Sequence, residues 1–141
     1  MRRGFTVLEL IFVIVIIGIL AGVGITKINF GRGEAEISNA RVQLQSIKSG
    51  IMTYYNDKLL SGAPGFPNYL EGNCNNGQDN TNTVFECILP MGGIKVSNKS
   101  GWSKTGERTY VIKLSGKTAT FTYNKNNGQM TCSGALCSQL E

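Results

Sequence analysis

RRGFTVLELIFVIVIIGILAGVGI, residues 2–25, decides how the rest of the chain is read. From Phe5 to Ile25 the only charge is Glu9, and a helix of that length rises roughly 30 Å, the thickness of a bilayer hydrocarbon core. The stretch therefore predicts a membrane-spanning helix. Its anomaly is Glu9, because a carboxylate in an apolar span costs on the order of 2 to 3 kcal/mol unless something pairs with it. A residue that costly points to a function.

A secretory signal also sets basic residues before an apolar run, but its small cleavage-site residues follow the run. Ala21 and Gly22 stand in that place here, yet Gly4 stands before the run, directly after Arg2 and Arg3. Cleavage after Gly4 leaves the apolar segment on the mature chain and creates an amino group at Phe5, one helical turn from Glu9. This arrangement, Gly followed by Phe-Thr-Val-Leu-Glu and an unbroken apolar helix, closely resembles the class III signal of type IV pilins and of the pseudopilins of type II secretion. The close resemblance covers about the first 30 residues.

The resemblance implies a role for each position. Gly4 is the residue after which a prepilin peptidase cuts, Phe5 the new, N-methylated terminus, and Glu9 the buried acid that attracts the N-terminal amine of a neighbouring subunit. An ion pair in a dry bundle has a definite geometry, and an unpaired carboxylate there is penalised. The competing reading of Glu9 is an interfacial glutamate reaching back to lipid headgroups. The implied partners are homologous pilin or pseudopilin subunits, the prepilin peptidase, the inner-membrane assembly machinery and, before assembly, membrane lipid. Many type IV pilins carry a proline down the mature helix. Here Gly22, Gly24 and Thr26 occupy that region, and close packing of membrane helices explains Gly18, Gly22 and Gly24 at least as well as a melting role.

Composition sets outer limits. The 141 residues hold one small domain beside the membrane helix. Net charge is +5, falling to +3 without Arg2 and Arg3, since twelve basic and nine acidic residues then remain. That excess is mild for a nucleic-acid binder. Histidine is absent, which removes the commonest general base and transition-metal ligand. With the nine acids scattered and no nucleophile–base pair evident, the sequence predicts neither an enzyme nor a cofactor.

Arg2 and Arg3 on one flank, against Lys27 and Arg32 offset by Glu34 and Glu36 on the other, give a weak preference for a cytoplasmic N-terminus. Cys74, Cys87, Cys132 and Cys137 all follow the helix, and an even count in a small polar domain favours disulfides in an oxidising compartment. The expected location is the bacterial inner membrane, crossed once, with the C-terminal domain in the periplasm. Within a filament the chain would be periplasmic or extracellular.

Past Ile25, Gly31 and Gly33 among charges mark where a long helix would bend or melt, at roughly 1 kcal/mol per glycine. From Ile37 an amphipathic pattern begins. Ile37, Ala40, Leu44, Ile47, Ile51, Tyr54 and Leu59 form one stripe and Ser38, Asn39, Arg41, Gln45, Lys48 and Ser49 the other face, so the helix lays its stripe on a domain. Gly62 and Pro64 stop it. The Gly-, Pro- and Asn-rich stretch to Pro90 reads as a long loop, with Phe66, Tyr69 and Leu70 as anchors to the helix. Asp79-Asn80-Thr81-Asn82 faintly resembles a calcium loop, but one acid supports a solvated turn better.

After Pro90 the pattern turns to strands. Arg108–Leu114 and Thr118–Tyr123 around Ser115-Gly116-Lys117 predict a hairpin, with Tyr110, Ile112 and Leu114 on one face and Ala119, Phe121 and Tyr123 on another. Asn126-Asn127-Gly128 is a second turn, Gln129–Cys132 a third strand, and Ile94 and Trp102 complete the core. Four cysteines allow three connectivities. Pairing sequence neighbours is preferred, a Cys74–Cys87 bridge being worth about 3 kcal/mol in the chain-entropy model. Cys132 with Cys137 looks like the C-terminal disulfide of many pilins. Zinc is disfavoured because paired CxxC knuckles are missing.

The expected fold class is therefore α+β and pilin-like: a long N-terminal helix, membrane-spanning in its first half and amphipathic in its second, packed on a small antiparallel sheet. Residues 1–4 are a leader, 5–30 the transmembrane and polymerisation helix, 31–61 its amphipathic continuation, and 62–141 a disulfide-bonded β domain. The expected function is a structural subunit of a type IV pilus or type II secretion pseudopilus. The alternative is a DNA-binding or adhesive component, because Lys95, Lys99, Lys104, Arg108, Lys113 and Lys117 surround Trp102 and Tyr110 in sequence.

Overall fold

The computed structural model describes residues 4–77 and 82–141, and within the first helix gives the backbone alone for residues 23–30 and 32. Two compact units divide the chain, Met1–Ala35 and Glu36–Glu141. The class is α+β. The first helix, α1, runs over Val7–Leu60 without interruption at Gly31 or Gly33, so the local melting expected there is not seen in its backbone. Six short strands follow, β1 (Thr83–Val84), β2 (Ile94–Lys95), β3 (Gly101–Gly106), β4 (Thr109–Leu114), β5 (Lys117–Asn124) and β6 (Gln129–Ser133), and then a four-residue helix α2 (Cys137–Leu140).

Among the described residues no helix is long and apolar enough to cross a membrane. Of the expected span over 5–30, the part from residue 23 onward, with Gly24 and Thr26, lies outside the described side chains. Arg2, Arg3 and the Asp79–Thr81 part of the faint calcium loop also lie outside the described residues.

The second unit is built on the amphipathic stripe. Ala40, Leu44, Ile47 and Ile51 recur at three- and four-residue steps and are buried, while Ile37 packs half-buried against the same cluster. Leu59 departs from expectation. It is 52% exposed, in a last helical turn that is mostly open to solvent. The stop is a Schellman turn: Gly62 takes a φ of 76°, the Ala63 N–H donates to the Lys58 carbonyl at 3.1 Å and the Gly62 N–H to that of Leu59 at 3.1 Å.

β3, β4, β5 and β6 form an antiparallel meander in that order, with β1 and β2 as a separate pair. Each connection is local. Ser115 and Gly116, at φ 48° and 77°, make the two-residue turn whose twist suits a hairpin. The register sets Tyr110 opposite Phe121 and Ile112 opposite Ala119, so the inner faces coincide and bury Trp102, Tyr110, Ile112, Leu114, Ala119, Phe121 and Tyr123. Phe85 sits between Trp102, edge-on at 5.3 Å, and Tyr110, tilted at 4.5 Å. The Trp102 indole N–H donates to Gln43 Oε1 at 2.9 Å, which ties the sheet to α1 with its one polar atom satisfied.

The long loop is fastened at several points. Phe66 stacks on Tyr55 at 4.5 Å, Leu70 is buried, and the Tyr123 hydroxyl donates to the Pro67 carbonyl at 2.8 Å. Tyr69 turns to the sheet side instead of the helix, because its hydroxyl donates to Glu107 Oε1 at 2.8 Å. Disulfides join Cys74 to Cys87, Cα atoms 5.2 Å apart, and Cys132 to Cys137, 5.8 Å apart.

Where the loop meets α1, a Cβ on Gly50 would lie 2.5 Å from the Ile88 carbonyl oxygen. Gly50→Ala gains about 1 kcal/mol of helix propensity and loses about 1 to 3 kcal/mol to the forced displacement. The expected net result is destabilisation by about 1 kcal/mol. Urea unfolding of the full chain in detergent, followed by Trp102 fluorescence, measures it.

Candidate functional site

Gly4, Phe5 and Thr6 are non-helical, and α1 starts directly after them. The cause is local. Thr6 occupies the cap position, its hydroxyl oxygen accepting the Glu9 backbone N–H at 3.3 Å, and its carbonyl takes the first helical bond from the Leu10 N–H at 3.2 Å. Thr6 and Glu9 thus stand at the spacing of a capping box. The Gly4–Phe5 peptide bond consequently lies outside the helix, between two exposed residues. Among the described residues nothing lies within 4 Å of the place a Gly4 Cβ would take.

Glu9 falls in the first helical turn, where the exposed N–H groups favour a negative charge. Among the described residues its carboxylate has no ion-pair partner. Around it the helix is apolar on every side, and the large apolar side chains from Phe5 to Leu20 are 41% to 80% exposed. A helix hydrophobic all round is built to be buried in lipid or among other helices, and a continuous apolar surface of this extent marks an interaction site. Sequence reasoning found Gly4, Phe5 and Glu9. It missed Thr6, although the T-x-x-E spacing signals the cap.

In the second unit the basic residues singled out from sequence do not converge. Lys104 pairs with Glu71 Oε2 at 3.7 Å. The Arg108 guanidinium donates through Nε to the Asn68 carbonyl at 2.9 Å, pairs with Glu107 at 3.5 Å and covers the Tyr69 ring. Lys113 and Lys117 are exposed at the other end of β4 and β5, and Lys95 and Lys99 are exposed in β2 and the turn after it. Trp102 and Tyr110, the supposed stacking platforms, are fully buried. The aromatic half of a nucleic-acid surface is therefore missing from these residues.

Glu71 is itself fully buried. The Tyr110 hydroxyl donates to its Oε1, and Lys104 lies by its Oε2. Burial pushes the Tyr110 phenol well above its ordinary value of 10.0, and the bond to the Glu71 carboxylate adds to the shift. Burial raises Tyr123 as well. The Tyr69 phenol is also raised, by its hydrogen bond to Glu107 and that carboxylate's charge.

The raised values fix a pH dependence. Above pH 10 the unfolded chain ionises Tyr110 and Tyr123 while the native chain keeps them protonated, so stability present below that pH is lost as pH rises. In an alkaline titration the phenolate absorbance of these two residues is expected to rise together with exposure of Trp102 fluorescence. Ionisation of both with Trp102 still buried would contradict it.

Among the described residues there is no group of three or more side chains fit to hold a metal. Residues 1–25 match the family described as prokaryotic N-terminal methylation motif, the signal of type IV pilins and pseudopilins. No curated protein and no solved structure matches the chain.

Proposed function

We propose, from the prokaryotic N-terminal methylation motif at residues 1–25, that this chain is a structural subunit of a type IV pilus or a type II secretion pseudopilus. A prepilin peptidase removes residues 1–4 and methylates Phe5. The N-terminal segment holds the chain in the inner membrane with the disulfide-bonded unit in the periplasm, until the assembly machinery draws it into a filament. The subunit carries no reaction of its own.

The observation that carries this reading is the exposed Gly4–Phe5 bond standing directly before a helix that is apolar on every side. A segment merely anchoring a soluble domain needs neither a non-helical cleavage site nor an acid at its start. In a bundle of such helices the new amine of Phe5 and the carboxylate of Glu9 on a neighbouring copy neutralise each other, which sets the axial step between subunits.

Shearing cells that express the native operon and pelleting the released polymers tests this directly. The full chain is expected in the high-molecular-weight fraction, and to vanish from it when the prepilin peptidase is deleted while accumulating, uncut, in the membrane. A chain that stays monomeric in both strains contradicts the proposal.

A further inference from the structure

We infer that a groove on the Glu36–Glu141 unit receives the Leu59–Leu60 end of α1 from a second copy of this chain, an inference that rests on the filament reading above. The groove lies between the outward face of α1, at Val42, Ser46, Ser49 and Thr53, and the segment Ile88–Pro90. Its cavity of about 830 Å³ has room for more than one branched side chain.

Two of the hydroxyls in the lining are already engaged. The Ser46 hydroxyl donates to the Val42 carbonyl at 2.9 Å and the Thr53 hydroxyl to the Ser49 carbonyl at 3.0 Å, so both present carbon to the groove and leave no donor stranded when water goes. The charged residue at the groove, Arg41, donates through Nε to the Gln139 carbonyl of its own C-terminal turn. Val42 on the wall is 63% exposed. With more apolar than polar wall, and Arg41, Gln45 and Ser49 as its polar side chains besides Ser46 and Thr53, the slot takes an apolar occupant with a polar rim.

Leu59 and Leu60 supply one. They are 52% and 88% exposed, adjacent, and held in place by the Schellman turn that follows. Groove and knob lie at different places on the same unit. Joining one to the other between copies gives a heterologous contact, which does not close on itself and propagates into a helical polymer. Met91, 95% exposed and directly after Pro90, is the rival knob. Because it adjoins its own groove it would favour a closed, two-fold dimer, which a filament does not use. The groove also lies on α1, the same helix whose N-terminal part is apolar on every side.

The test uses the full chain in cells, with the photo-crosslinker p-benzoylphenylalanine in place of Leu60 and the sheared polymer as the sample. Crosslinks are expected from position 60 to residues 42–53 or 87–90 of another copy. Leu60→Glu and Ser49→Trp are each expected to lower the polymer fraction at least tenfold, with the mature terminus at Phe5 and both disulfides intact, and Met91→Ala to leave it unchanged. Crosslinks to another face or another protein, normal assembly of Leu60→Glu and Ser49→Trp, or loss of assembly in Met91→Ala would each overturn the contact. Failure of the unsubstituted chain to polymerise would instead remove the filament reading on which the contact rests.

Discussion

Glu9→Gln is expected to remove this chain from the polymer fraction while leaving cleavage after Gly4 and methylation of Phe5 in place. The substitution isolates charge from shape. Glutamine keeps the side-chain acceptor that a capping box needs, so Thr6 and the start of α1 remain as they are. What is lost, in the proposed filament, is the negative charge that would face the mature amine in a bundle of segments whose large side chains from Phe5 to Leu20 are exposed and apolar. Removing one partner of a buried ion pair typically costs about 3 to 5 kcal/mol, because the other charge stays buried without compensation. A loss of that size corresponds to more than about a hundredfold in the subunit–polymer equilibrium. Quantitative immunoblots of sheared and membrane fractions, with N-terminal peptide masses from each, measure both halves of the expectation. Wild-type assembly of Glu9→Gln would mean that Glu9 serves only the cap.

The second large effect is expected in the core of the Glu36–Glu141 unit. Lys104→Met removes the cation from Glu71 Oε2 and leaves a carboxylate that is fully buried, at an expected cost of about 3 kcal/mol. The double variant Glu71→Gln with Lys104→Met is expected to recover most of that loss, since a neutral amide still accepts the Tyr110 hydroxyl and no buried charge remains. Trp102 is the single tryptophan and lies in the same core, so its fluorescence in urea reports each variant. If the double variant is no more stable than Lys104→Met, the penalty is lost packing of the lysine stem rather than an uncompensated charge.

Local patterns in the sequence foretold the parts of the fold that depend on neighbours along the chain. The helical stripe from Ile37 to Ile51, the glycine stop at Gly62 and the β4–β5 hairpin all follow from period, cap or turn chemistry. What was hidden depends on distant residues. β3 reads GWSKTG, with glycine at both ends and little alternation, and becomes a strand because Trp102 fits the core opposite Ile112. Phe85 sits at φ 66°, a conformation no propensity assigns to phenylalanine, and is held there by Trp102 and Tyr110. Glu71 looked like one more polar loop residue, and only the approach of Tyr110 and Lys104 shows why it can be buried.

The candidate site was legible for a related reason. Gly4, Phe5 and Glu9 carry their meaning in their order along twenty residues, so a linear reading reaches them. The supposed basic and aromatic surface was a grouping in sequence alone. Folding buries its rings, pairs Lys104 with Glu71 on the same inner face opposite Tyr110, and engages Arg108 with Glu107 in the turn before β4. The groove beside Val42 joins residues some forty positions apart and has no linear signature.

Processing into a filament subunit is read from the intact and N-terminal peptide mass of the full chain recovered from its native membrane. The predicted species begins at Phe5 with one added methyl group. It also gains four hydrogens on reduction, two from each disulfide. A chain that keeps Met1, or one cut after the apolar run, would contradict the filament-subunit reading at its root.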